Sequence, residues 1–113
     1  MKKILLLALA LIAVAPVAVE GQQRAVITGC DFDVFPVVAV ERVNLWATAE
    51  NGRIVGSARG VNPSERRGSP AWCSGEVVTV LERRTDSNGR RRVRVRTISG
   101  LEGWVTDHFL IEP

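Results

Sequence analysis

Few residues in this chain have the types and spacing needed for chemistry. The sequence holds two cysteines, Cys30 and Cys73, and one histidine, His108. A thiol nucleophile would have to recruit His108 as its base, and a Ser-His-Asp arrangement would need the same imidazole. Two Cys with one His match no usual zinc spacing. Glu102 and Asp107 flank Trp104, but paired acids in a turn are usually solvated rather than catalytic. No Gly-rich phosphate loop runs into a helix. These residues predict no enzyme, no metal and no cofactor. An even cysteine count in an exported chain reads instead as a disulfide, Cys30–Cys73. Closing a loop of about 44 residues is worth roughly 4 kcal/mol in the chain-entropy model.

The residues suited to binding are three tryptophans and a run of arginines. Arg42-Val43-Asn44-Leu45-Trp46-Ala47 alternates, with Val43, Leu45 and Ala47 on one face and Arg42, Asn44 and Trp46 on the other. Trp46 and Asn44 therefore point away from the valine face. Trp72 sits beside Cys73, and Trp104 lies in Gly103-Trp104-Val105. Each tryptophan is either a ligand platform or a packing residue. Seven of the 13 arginines fall between Arg83 and Arg96. Within that run Arg92, Arg94 and Arg96 alternate with Val93, Val95 and Thr97, which predicts a solvent-facing basic stripe. Such a stripe serves either to attach the protein to an anionic polymer or to block edge-to-edge pairing.

Compartment comes from the first residues. Met1-Lys2-Lys3 followed by the apolar run Ile4–Val19 reads as a secretory signal peptide. The run is short of the roughly 20 residues of a spanning helix, so no stable membrane insertion is expected. Val19-Glu20-Gly21 places cleavage after residue 21, and Ala13-Val14-Ala15 is the competing site. Ile27-Thr28-Gly29-Cys30 also resembles the lipobox of bacterial lipoproteins, whose Cys becomes the lipidated first residue. Glu20 and Arg24 separate it from the apolar run it normally abuts. Without Lys2, Lys3 and Glu20, 13 arginines face 11 acids, a formal charge of +2. So small a charge, on an exported chain, argues against nucleic acid as a partner.

The elements that would position these residues are strands. Gly75–Leu110 organises the chain. Val77–Leu81, a turn at Asp86-Ser87-Asn88-Gly89, Arg92–Ile98 and Gly103–Val105 make a small antiparallel meander, with Asn88-Gly89 suited to a type I′ hairpin. Asp107–Leu110 reads as one helical turn. Upstream, Asn51-Gly52 is a turn signal, and Ile54–Ala58 a short, weak strand. Gly60–Gly75 is a long loop tethered at Cys73. Residues 22–31 read as a polar leader. Phe32–Val40 contains Pro36, so it is expected to be an edge strand or two short pieces. Val77–Leu81 is apolar on both faces and needs two covers. The barrel interior supplies one, and Phe32–Val40, packed on the outside, is the candidate for the other.

This pattern resembles the bacterial SH3-like domain. Val43-Asn44-Leu45 resembles its opening strand, Gly75–Leu81 its Gly-x-Val-x-Val-Leu strand, and Gly103-Trp104-Val105 with Phe109-Leu110 its closing segment. The chain departs from the family in having Trp46 and Thr48-Ala49 where an Arg and a Gly-Pro turn are usual, and Arg90–Arg92 where a Trp is common. The resemblance implies an all-β, partly open barrel of five to six short antiparallel strands. The organisation expected is a signal peptide (1–21), an extension with an edge strand (22–41) and a barrel (42–113). It further implies a monomeric, non-catalytic, periplasmic or secreted domain that recognises peptidoglycan or an envelope protein. Trp46, Asn44, Trp72 and Trp104 are the candidate contacts, with Trp46, Trp72 and residues 62–68 forming a groove. A protein-interaction or inhibitor domain, and an electrostatic binder of anionic envelope polymers, remain as alternatives.

Overall fold

The computed structural model describes residues 23–32 and 38–112. The expected signal peptide and the middle of the Phe32–Val40 run lie outside the described residues. The described chain is all-β. Its strands are β1 (Gln23–Ile27), β2 (Cys30–Asp31), β3 (Val38–Ala39), β4 (Arg42–Thr48), β5 (Asn51–Arg59), β6 (Val77–Thr85), β7 (Arg91–Thr97), β8 (Glu102–Thr106) and β9 (Leu110–Ile111). Seven of them form one antiparallel sheet in the order β5-β4-β8-β7-β6-β1-β9, and β2 pairs with β3 separately. This exceeds the five to six strands expected.

The meander β6-β7-β8 forms as its alternation predicts. Val78, Val80, Val93, Val95 and Val105 are buried on one face. Their register pairs Val80 with Val95 and Val93 with Val105. The connection between β6 and β7 is not a two-residue type I′ turn. Five residues, Asp86–Arg90, separate the strands. Asp86 organises them: its Oδ1 accepts from the N–H groups of Asn88 and Arg90, both at 2.9 Å. Gly89 supplies the positive φ of 82° that closes the turn. Asp107–Phe109 is a single 3-10 turn between β8 and β9.

The N-terminal segments differ from expectation. Residues 22–31, read as a leader, contain β1, which pairs with β6 from Gln23↔Val80 to Val26↔Val77. Ala25 and Ile27 alternate into the core. The β1 segment QRAVI is too short, and too polar at its start, to announce itself by period. The described ends of Phe32–Val40 do not pack over β6. At its C-terminal end β3 pairs with β2, just before the segment, and Phe32 is 61% exposed. β6 also does not need two full covers, because Val77 stays exposed. Ile54–Ala58, expected to be short and weak, lies inside the nine-residue β5.

The sheet curls until its two ends share one core. Val43 and Leu45 of β4, Ala58 of β5, and Ala25 and Ile27 of β1 belong to the same buried cluster as the meander valines. Backbone hydrogen bonds lace the seam where the ends approach. Glu76 N–H donates to the Arg59 carbonyl at 3.0 Å, Gly75 N–H to Ile27 at 2.7 Å and Gly29 N–H to Gly60 at 2.8 Å. Only glycine fits there. A Cβ on Gly75 would stand 2.0 Å from the Arg59 carbonyl oxygen. The result is a partly open barrel whose gap is bridged by main chain.

Candidate functional site

The disulfide forms as expected, joining Cys30 to Cys73 across 43 positions with a Cα–Cα separation of 5.7 Å. This separation lies in the ordinary range for a disulfide. With Cys30 bonded to Cys73, its sulfur is not free for the thioether of a lipoprotein. The bond sits in a second small core with Val61 and Trp72. Trp72 is 7% exposed, and the Arg67 guanidinium lies 5.3 Å from its ring centroid. The long loop is held at both ends, since Asn62 N–H donates to the Trp72 carbonyl at 2.7 Å.

Trp46 is half-buried and stands on the outer face of the barrel, opposite Val43 and Leu45. Its cross-strand partner is Trp104. The phase of β8 sends Gly103 and Val105 inward and Trp104 outward. Trp104 is nevertheless only 5% exposed. The Arg84 guanidinium lies 5.0 Å from its ring centroid, a cation–π contact. Arg94 is its register partner in β7. Asn44 is exposed on the same strand face. The structure therefore brings Trp46 to Trp104, with Asn44 two residues away. It does not bring Trp46 to Trp72, which packs against the disulfide. The groove expected from Trp46, Trp72 and residues 62–68 has no counterpart among these contacts.

The basic stripe needs correction at Arg92. This residue is 3% exposed, not solvent-facing. The Asp86–Arg90 turn folds over it and is itself held to the β4–β5 turn, where Glu50 accepts from Ser87 Oγ at 2.6 Å. The Arg92 guanidinium donates to Asn51 Oδ1 and faces the Asp86 carboxylate at 3.8 Å. Its Nε has no partner among the described residues. Arg94 pairs with Glu82 and Glu102 at 3.3 and 2.8 Å, and Arg96 with Glu102 at 3.2 Å. Each arginine of the stripe thus meets a carboxylate. The Arg84 hydrogen bond is the main cause that holds the Glu82 carboxyl below its ordinary value. Desolvation opposes it, and Arg94 adds to it.

A cavity of about 400 Å³ opens where β6 and β7 pass the end of the barrel core, lined by Arg83, Thr85, Arg91, Asp107 and Glu112 among others. Arg83 bonds Glu112 and Gln23 there. The Glu112 hydrogen bond raises its already high pKa. Sequence reasoning missed this site because it depends on a bulge in β6. The register slips between Val80 and Glu82, and Arg83 then pairs with the inward-facing Val93. Arg83 and Thr85 consequently lie on the core side of the strand, and Glu82 and Arg84 on the outer side. The break in alternation after Leu81 is the only signal the sequence offers.

Among the described residues no group of three or more His, Cys, Asp or Glu is arranged to hold a metal ion. No helix among them is long and apolar enough to cross a membrane. The disulfide fits an oxidising compartment. Comparison with protein-family models, with curated proteins and with solved structures finds no match for this chain.

Proposed function

We propose that this chain is an exported, non-catalytic binding domain of the bacterial cell envelope, with an SH3-like barrel that takes an extended peptide of peptidoglycan or of an envelope protein. The observation that carries the reading is the cross-strand pair Trp46–Trp104 on the outer face, outside the barrel core. A half-buried tryptophan there gives flat apolar surface. The ion pairs of Arg94 with Glu82 and Glu102 frame it with groups able to meet backbone N–H and C=O of a peptide. The disulfide supports a periplasmic or secreted location. Electrostatic attachment to an anionic polymer is weakened, because Arg92, Arg94 and Arg96 already face carboxylates.

Pull-down with purified sacculi tests this reading. Binding is expected to persist in 0.5 M NaCl and to be lost in Trp46→Ala, with stability lowered by about 1–2 kcal/mol, the scale of losing part of one apolar side chain's burial, so that the variant stays folded. Binding abolished by salt in the native protein points to polymer attachment. A Trp46→Ala variant that binds as well as the native protein removes the outer face from the site.

A further inference from the structure

The cavity at the open end of the barrel has the charges of a second site, which takes in the inner face of β6 and β7 and is also lined by Arg84 and Arg92. Arg91 lies two residues before the core residue Val93 and directly opposite Thr85, which lies two residues after Arg83. By alternation all four share the inner face. Asp107 follows β8 at the start of the 3-10 turn and also lines the cavity. Arg83 is occupied by Glu112 and Gln23. The Arg91 side chain has no hydrogen-bond or ion-pair partner among the described residues, and Asp107 acts on Arg83 through its charge without a hydrogen bond to it. One cavity wall therefore offers an unengaged guanidinium, and another a carboxylate whose hydrogen-bonding capacity is unused.

We propose that this cavity binds a small zwitterion, an amino acid or the free end of a short peptide, with its carboxylate on Arg91 and Thr85 Oγ and its ammonium on Asp107. A guanidinium offers a planar fork that matches a carboxylate, and a hydroxyl adds a third donor. Four arginines, Arg83, Arg84, Arg91 and Arg92, line the cavity against Asp107 and Glu112, so a bare anion such as phosphate is the competing occupant, and it would leave Asp107 without a cationic ligand. A purely cationic ligand meets Arg83 and Arg91. A ligand carrying both signs gives a partner to Arg91 and to Asp107 at once. A volume of about 400 Å³ lies at the small end of ligand pockets and suits an occupant of one or two residues.

Alanyl-alanine is the probe, followed by amide chemical-shift titration of the purified, oxidised protein. A ligand of this size is expected to bind with a Kd on the order of 1 mM. Shifts should concentrate at Thr85, Arg91 and Asp107. N-acetylation or C-amidation of the dipeptide should each weaken binding about tenfold or more, the scale of one charge-assisted hydrogen bond. Arg91→Gln should abolish the distinction between free acid and amide while keeping that between free amine and acetylated amine. Asp107→Asn should do the reverse. The Arg91 side chain has no partner to lose, so its variant is expected to melt with the native protein. Trp46→Ala should leave this titration unchanged, so failure here and failure of the outer face are read separately. Inorganic phosphate binding as tightly as the dipeptide overturns the proposal in favour of a simple anion site. So does the absence of shifts at 50 mM dipeptide, or equal binding of free and blocked forms.

Discussion

Removing the Asp86 carboxylate probes the most enclosed polar contact of the fold. The Asp86 and Arg92 side chains are 5% and 4% exposed, so the guanidinium has little water to fall back on. Breaking a buried pair from one side typically costs about 3–5 kcal/mol, because a charge is left behind without compensation. Asp86→Ala also frees the Asn88 and Arg90 amides, but these lie in an exposed turn where water replaces the lost acceptor. The cost is therefore expected to stay near 3–5 kcal/mol. A domain of about 90 residues has a total stability of roughly 5–13 kcal/mol, so the loss is a large share. Urea unfolding at pH 7 measures it as a fall in midpoint at constant slope. Glu102→Gln, which breaks exposed pairs with Arg94 and Arg96, is the control and should cost no more than about 1 kcal/mol. The Asp86 effect should survive 0.5 M NaCl, whereas the Glu102 effect should shrink. Adding Arg92→Met to Asp86→Ala removes the stranded charge, and the double variant should be more stable than Asp86→Ala alone. A cost for Asp86→Ala within about 1 kcal/mol of zero, or no recovery in the double variant, would show that Arg92 is solvated and refute the reasoning.

Three further outcomes follow from the same contacts. Replacing both cysteines with serine should cost about 4 kcal/mol by the chain-entropy model and lower the melting point by roughly 15–30 °C on calorimetry; an unchanged melting point would mean the second core holds without the bond. Gly75→Ala puts a methyl group against the Arg59 and Ile27 carbonyls, so it should disrupt the seam and raise amide exchange at Glu76 and Gly75, while Gly89→Ala, in an open turn, should strain only its own backbone. The Glu82 carboxyl titrates below its ordinary value of 4.5 in the folded protein, so its contribution is present above that value and is lost as pH falls through the folded one. Glu82→Gln should therefore flatten the acid side of the stability profile, and an unaltered acid limb would dismiss the Arg84 contact as a source of stability.

The sequence made some features legible because one local signal decided each of them. The valine alternation in β6 and β7 dictates which face meets the core, and Cys30 and Cys73 had only each other to pair with. β1 was hidden because Gln23 and Arg24 are polar, leaving too few apolar positions to show a period of two. Its place in the sheet is set by nonlocal pairing with Val77–Val80. Trp46 was assigned correctly to the outer face by phase, but its neighbour could not be read. Phase says which side of a sheet a residue occupies and nothing about which strand lies beside it. Trp104, 58 residues away, is its partner only because β8 runs between β4 and β7. Arg92 was misread for a related reason. Alternation placed it correctly on the face opposite the valines, yet an outer face is solvent-exposed only where nothing folds over it.

The bulge at Leu81 explains how one hairpin serves two surfaces. Before it, even-numbered residues of β6 point to the core, as Val78 and Val80 do. An unbroken strand would carry Glu82 and Arg84 inward after them, setting Glu82 against the core residue Val93 and Arg84 opposite Arg91. One extra residue inverts the phase. Glu82 then pairs with Arg94 and Arg84 with Arg92 on the outer face. From there Arg84 reaches the Trp104 ring and Glu82 accepts from Arg94. The same inversion turns Arg83 and Thr85 to the inner side only where the core has ended, so the Arg83 guanidinium meets Glu112 and Gln23 instead of valines. Bulges commonly re-aim side chains in this way. Both the cover over Trp104 and the charged lining of the open cavity therefore depend on a single unpaired position, and neither belongs to the barrel core that Val78, Val80, Val93 and Val95 hold together.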